Sequence, residues 1–110
     1  MSGPSYSLER RVEIQVGFQE MAEMAFDLNK YRALRHHPGL KKDAMDVIEG
    51  AFRWKYLLER DIVAAPDAQD ALRSTRQALL DVMDRLSASM TGDARDKLMD
   101  ERYRVWSKIY

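Results

Sequence analysis

The spacing of apolar residues between a few helix-breaking positions constrains this fold more than any other feature. Gly3-Pro4, Pro38-Gly39, Pro66 and Gly92 divide the chain into four segments. Within each segment, apolar residues recur every three or four positions, which is the period of an α-helix with one face toward a core. Because the connections are short, consecutive helices are expected to run antiparallel. The sequence therefore predicts an all-α protein, an antiparallel (up-down) four-helix bundle.

The first predicted helix starts near Ser5 or Ser7, either of which can serve as an N-cap, and runs to about Arg35. Residues 12–18 leave an alternative open, because apolar residues there also alternate at the period of a strand. The choice between a helix and a short strand in this range stays open. If the segment is helical, its core face consists of Ile14, Phe18, Met21, Ala22, Ala25 and Leu28.

The second predicted helix, from about Leu40 to Val63, carries more apolar surface than one neighbour can bury and is expected to be central in the bundle. Within its apolar half, Lys55 precedes Glu59 by one turn, so we expect an ion pair between them rather than a catalytic base. Pro66 and Asp67 open the third helix. Beside its core stripe, the second helix has another stripe that includes Met45, Phe52 and Tyr56.

The fourth predicted helix runs from Asp93 to the terminus and also carries a second apolar stripe. Aromatic residues and methionine are enriched in protein interfaces. Either this stripe packs on that of the second helix within one chain, or both meet another chain. They form the candidate interface, which consists of Met45, Phe52 and Tyr56 on the second helix and Met99, Tyr103, Trp106 and Tyr110 on the fourth.

Composition limits the classes of protein and of chemistry. The 110 residues are 33% charged and 45% hydrophobic, which fits a single helical-bundle domain over residues 1–110 with residues 1–6 as a flexible N-terminus. The chain has no cysteine, so disulfides, thiolate nucleophiles and Cys-based metal sites are excluded. Its start lacks a basic stretch followed by an apolar run, and no segment has the length of a membrane span. We therefore expect a cytoplasmic protein that does not interact with membranes.

Charge is concentrated in residues 30–42, which we call the basic segment. It contains five lysines and arginines, both histidines and no carboxylate, whereas the whole chain has a net charge of zero. A local positive field of this kind can select an anionic partner, either an acidic protein surface or a nucleic acid whose bases stack on Tyr31. The predicted partner-binding residues are Lys30, Tyr31, Arg32, Arg35, His36, His37, Lys41 and Lys42.

Arg32 and His37 are separated by four residues, a spacing that resembles the Arg-x4-His element of HEPN-type ribonucleases, which are small helical bundles. The resemblance covers six residues, and Ala33 stands where that family usually has a polar residue. It implies that Arg32 and His37 would orient phosphate and the 2′-hydroxyl during RNA cleavage. The residues themselves indicate neither a metal site nor a catalytic group, and we infer no cofactor and no small-molecule substrate.

These observations favour a non-enzymatic adaptor, regulatory or assembly subunit that binds an acidic protein partner and associates with itself. The alternative is an RNA- or DNA-binding bundle that uses the basic segment, with HEPN-like cleavage as its enzymatic extreme.

Overall fold

A computed structural model describes residues 7–110, and every regular element within this range is helical. Predictions about residues 1–6, including Ser5 as a cap and a flexible N-terminus, lie outside the described residues. The elements are α1 (Leu8–Asp27), a 3-10 turn (Leu28–Lys30), α2 (Arg32–Arg35), α3 (Pro38–Glu59), α4 (Ala65–Ser87) and α5 (Gly92–Trp106). This arrangement is compatible with a four-helix bundle in which α2 is a short addition.

The start and the core face of α1 follow the sequence pattern. The Ser7 side chain accepts a hydrogen bond of 3.0 Å from the Arg10 amide, which satisfies one of the free amides at the helix start. Residues 12–18 are helical, so the strand alternative was wrong. Helical period decides the burial there, because Ile14 and Phe18 are buried one turn apart while Val12 and Val16 are about half exposed.

The prediction that one helix extends to Arg35 was wrong, because the chain leaves α1 at Asp27. The Asn29 side chain donates a hydrogen bond of 2.8 Å to the Phe26 carbonyl. A side chain thus provides a hydrogen bond to a carbonyl in the last turn of α1. Tyr31 then adopts an extended backbone conformation, with φ −84° and ψ 124°, before α2 begins. As a result, the basic segment is divided among the end of the 3-10 turn, α2 and the start of α3. It does not form the end of one long helix.

Helix α3 ends at Glu59, four residues before the predicted Val63, because the chain reverses at Asp61. Asp61 has φ 56°, a left-handed conformation that is uncommon for residues other than glycine. Its amide donates to the Leu58 carbonyl at 3.1 Å, and the Ile62 amide donates to the Leu57 carbonyl at 2.9 Å. Arg11 of α1 donates to the Leu58 carbonyl and to the Asp61 carboxylate, which fixes this turn against α1.

Helices α1, α3 and α4 pack against one another, and α5 rests mainly on α4. Helix α4 therefore packs against each of the other three long helices, while α3, which the sequence predicted to be central, packs mainly on α1 and α4. Residue 17 is glycine at the contact of α1 with α4, where an added Cβ would lie 2.6 Å from Leu72 Cδ2 and 3.0 Å from Tyr110 Cε1. The principal dimensions are 55 × 24 × 16 Å. No helix within residues 7–110 has the length and apolar character to cross a bilayer.

Candidate functional site

The structure ties the first part of the basic segment to α5. Tyr31 is only 6% exposed, and its hydroxyl donates a hydrogen bond to the buried carboxylate of Glu101. Lys30 Nζ donates to the other Glu101 oxygen at 2.8 Å and also pairs with Asp27. The predicted stacking of a nucleic-acid base on Tyr31 therefore does not fit this structure, since the ring is packed in the core and presents no free face.

The pKa shifts in this cluster favour a neutral Tyr31 phenol beside a charged Lys30 and a charged Asp27. Burial, together with the adjacent Glu101 carboxylate, raises the pKa of Tyr31 well above its ordinary value. For Lys30, burial opposes the charged form, but hydrogen bonds to Asp27 and Glu101 outweigh it and raise the pKa. The hydrogen bond from Lys30 lowers the pKa of Asp27. The charge of Lys30 is thus neutralised by carboxylates of the same chain.

Other members of the basic segment also have internal partners. His37 caps α3, because its Nδ1 accepts a hydrogen bond of 3.1 Å from the Leu40 amide. His36 lies at the end of α2, as its C-cap residue. Lys42 pairs with Asp46 at 3.0 Å, and this interaction raises the pKa of Lys42.

The exposed remainder of the basic segment consists of four residues. Arg35 and Lys41 are exposed, and neither has an ion pair within residues 7–110. Arg32 and His36 are also exposed and are bonded to each other, with Arg32 Nε donating to His36 Nε2 at 3.3 Å. A positive surface therefore persists around α2, but it is smaller than the sequence suggested.

The arrangement of Arg32 and His37 bears on the ribonuclease-like alternative. Each is engaged separately, Arg32 with His36 and His37 with the first turn of α3. The structure shows no hydrogen bond between Arg32 and His37. Nor do the described residues contain a group of three or more histidines and carboxylates that could hold a metal ion.

The candidate interface on α3 is exposed and continues onto α1. Met45, Phe52 and Tyr56 are 43%, 45% and 51% exposed, and Phe26 of α1 is 67% exposed. We call the surface formed by these four residues the α1/α3 face. Between the helices it contains an open cavity of about 360 Å³, and Phe26 and Phe52 line this cavity with Ala22, Glu23, Asp27 and Ile48.

Phe26 was missing from the predicted interface. The available signal was an aromatic residue in the first predicted helix that falls outside the core face. That signal shows exposure, but it does not identify α3 as the neighbouring helix.

The predicted interface residues on and after α5 differ in exposure. Tyr103 and Trp106 are 64% and 57% exposed and form a tilted ring pair with centroids 5.8 Å apart. Met99 is half-buried. Tyr110 is also half-buried, with its ring beside Gly17 and 6.0 Å from the Arg76 guanidinium. The possibility that the α3 and α5 stripes cover each other was wrong, because the large side chains of both are exposed.

Tyr110 carries a buried hydroxyl that has no hydrogen-bond partner within residues 7–110. Burial, with a contribution from the charge of Glu20, raises the pKa of Tyr110 to about 12. Around it, Arg76 donates to the Lys108 carbonyl, and Lys108 Nζ pairs with Glu20 of α1 at 2.5 Å. Tyr110 therefore acts as part of the packing that holds the C-terminus against α1 and α4.

Comparisons of the chain with protein-family models, with curated proteins and with solved structures gave no match.

Proposed function

We propose that this protein is a non-enzymatic helical-bundle subunit, an adaptor or assembly protein that associates with itself and binds an acidic protein partner. One observation carries the proposal: large apolar side chains are exposed in two organised groups, the α1/α3 face and the Tyr103–Trp106 pair. Single exposed apolar residues are ordinary, but contiguous aromatic groups rimmed by polar residues are typical of interaction surfaces. Location in the cytoplasm remains a prediction from the sequence.

The proposed fold behind these surfaces is an up-down bundle with antiparallel neighbours. Three ion pairs support the direction of the chain. Arg11 near the start of α1 pairs with Asp61 just after α3, and Arg85 near the end of α4 pairs with Asp43 near the start of α3 at 2.6 Å. For α4 and α5, Arg102 pairs with Asp84, and farther from the connection Arg76 of α4 donates to the Lys108 carbonyl after α5.

The acidic partner is proposed to bind the exposed remainder of the basic segment: Arg32, Arg35, His36 and Lys41. These side chains lie on α2, at its C-cap and in the first turn of α3, and neither Arg35 nor Lys41 has an ion pair within residues 7–110. Exposed charges at an interface rim speed association and select partners more than they add affinity. This contact is therefore expected to weaken with salt.

Nucleic-acid binding is the second candidate, and the unpaired Arg35 and Lys41 are the observation in its favour. Two features argue against nucleic-acid binding. Tyr31 is buried, and Lys30 and Lys42 form ion pairs with carboxylates. In HEPN-like cleavage by Arg32 and His37, only Nε2 of His37 would be available to the RNA, because Nδ1 caps α3.

Purification without nuclease at low salt tests the proposal. We expect a peak with protein-like absorbance whose elution position changes little between low and high salt, because apolar contacts are not weakened by screening. A peak carrying nucleic-acid absorbance that disappears at high salt would contradict the proposal and support the second candidate. In that case Arg35→Ala with Lys41→Ala should abolish the nucleic-acid signal.

A further inference from the structure

Helix α5 is attached to the rest of the molecule by little apolar contact. Its buried residues are two apolar side chains, Leu98 and Val105, and the carboxylate of Glu101. Each of the other three long helices buries five residues or more, and all five in α3 are apolar. Because the burial of apolar surface is the main stabilising term in folding, α5 is the least strongly packed of the long helices.

Polar contacts and one half-buried ring supply the rest of the attachment. Arg102 pairs with Asp84 of α4, and after α5 Lys108 pairs with Glu20 of α1 at 2.5 Å. Each of these pairs has a side chain that is more than a third exposed, so solvent weakens both. Two arginines of α4 also donate to main-chain oxygens after α5, where the ring of Tyr110 packs on α1.

The buried part of the attachment covers Tyr31 of the basic segment. The Tyr31 hydroxyl donates to Glu101 of α5, and Tyr31 as a whole is 6% exposed. Lys30 donates to the same carboxylate but keeps Asp27 as a second partner. Release of α5 would therefore remove the hydrogen-bond partner of Tyr31 and uncover its side chain, while Lys30 would stay paired.

The connection before α5 has the features of a hinge. The amides of Ala88, Ser89 and Met90 all donate to carbonyls in the last turn of α4, so this stretch is fixed to α4. Helix α5 itself begins without a side-chain cap, and its first residue, Gly92, has φ 67°. A Cβ added at Gly92 would meet nothing within 4 Å. Because no packing holds this residue, backbone rotation there can move α5 without disturbing α4.

We propose that α5 is a strap, which opens as a unit by rotation at Gly92 and thereby controls access to Tyr31. In the closed state the aromatic side chain of the basic segment is hidden, and in the open state it is exposed beside Arg32 and Arg35. A ligand that contacts Tyr31 would bind only the open state and would shift the population toward it. The proposal goes beyond the proposed function and does not depend on it, because opening is a property of the chain alone.

Native-state hydrogen exchange of the untagged full chain, followed for individual amides, tests whether α5 opens separately. A released helix of 15 residues is marginal in water, so its amides exchange once it leaves α4. They should exchange roughly 30-fold or more faster than the slowest amides of α4. Glu101→Gln should speed exchange in α5 by roughly a further 30-fold, because it weakens the buried contact with Tyr31.

Val47→Ala is the control that separates opening of α5 from unfolding of the whole chain. Val47 is 6% exposed and lines a cavity between α3 and α4 that no residue of α5 lines. Its truncation should speed the slowest exchange in α4 by roughly tenfold. Exchange in α5 should not change, because α3 and α4 stay packed in the open state. Circular dichroism checks that both variants keep their helical content.

A covalent lock tests the movement by a second route. The chain has no cysteine, so Asp84→Cys with Arg102→Cys allows a short bismaleimide to join α4 and α5 where an ion pair joins them now. Compared with the same double variant before joining, the lock should slow exchange in α5 by roughly tenfold or more. It should also protect Tyr31 from nitration, while Tyr103, which is 64% exposed, stays equally reactive.

Three results would overturn the inference. If Val47→Ala speeds exchange in α5 as much as in α4, α5 opens only with the whole fold. If Glu101→Gln leaves exchange in α5 unchanged, the buried contact does not hold the strap closed. If the lock alters neither exchange in α5 nor nitration of Tyr31, the exchange comes from fraying in place. None of these results touches the proposed function, whose exposed surfaces are present in the closed state.

Discussion

Glu101 is the residue whose replacement most clearly tests how the basic segment is held. Its side chain is 7% exposed and accepts hydrogen bonds from the Tyr31 hydroxyl and from Lys30 Nζ. Glu101→Gln keeps the shape and leaves an oxygen that can accept from Tyr31, but it removes the negative charge. The substitution therefore isolates the electrostatic part of the cluster.

The expected cost is about 2 kcal/mol. A hydrogen bond to a charged group contributes about 1.5–3 kcal/mol and a neutral one about half as much, so loss of the charge at Tyr31 costs about 1 kcal/mol. Lys30 is 32% exposed and keeps Asp27 as a partner, so its lost ion pair adds about 1 kcal/mol or less. For a domain of this size, 2 kcal/mol corresponds to a fall in Tm of about 8 °C.

Chemical denaturation followed by circular dichroism measures this change. Asp100→Asn is the matched control, because Asp100 is exposed on the same helix, and it should stay within about 0.5 kcal/mol of the wild type. A double-mutant cycle with Tyr31→Phe should give a coupling energy of about 1 kcal/mol. If Glu101→Gln changes stability by less than about 0.5 kcal/mol, the cluster does not hold the segment and the reasoning fails.

Three further predictions concern packing and ionisation. Gly17→Ala should destabilise the protein by about 1–3 kcal/mol, because the new Cβ would meet Leu72 and Tyr110. Gly50→Ala on α3 should stabilise it by about 0.4–1 kcal/mol, because the new Cβ meets nothing within 4 Å. Urea denaturation of the two variants measures both changes. Tyr110→Phe removes a buried hydroxyl without a partner in the described part of the chain, so thermal unfolding at neutral pH should show equal or greater stability, and a loss above about 1 kcal/mol would contradict the assignment. Because the folded pKa of Tyr110 is raised from 10.0 to about 12, its contribution is present below pH 10 and is lost as pH rises toward 12; denaturation at several alkaline pH values should show a smaller loss for Tyr110→Phe than for the wild type.

Local sequence patterns predicted much of the fold. All six residues assigned to the core face of the first helix are buried, and Pro66 and Asp67 lie in the first turn of α4 as expected. These features depend on neighbours three or four positions away, which a sequence pattern contains. The sequence left open whether the stripes with Phe52, Tyr56 and Trp106 pack on each other or are exposed. They are exposed because α5 packs on α4.

The break after α1 was not predictable in this way. Residues 27–31 contain neither glycine nor proline, and the partner that holds Tyr31 is 70 positions away in the sequence. The same separation explains why the basic segment looked larger than it is, because Lys30 is neutralised by that distant glutamate. Asp61 was missed for a related reason, since this left-handed residue pairs with Arg11, which is 50 positions away on another helix.

Sedimentation equilibrium of the untagged chain at low and at high salt tests most directly the claim that this protein works by association of apolar surfaces. We expect a protein-only species heavier than one 12.8 kDa chain, persisting at high salt because the contact is apolar. A 12.8 kDa monomer at both salt concentrations, or a complex with nucleic acid that dissociates at high salt, would contradict it.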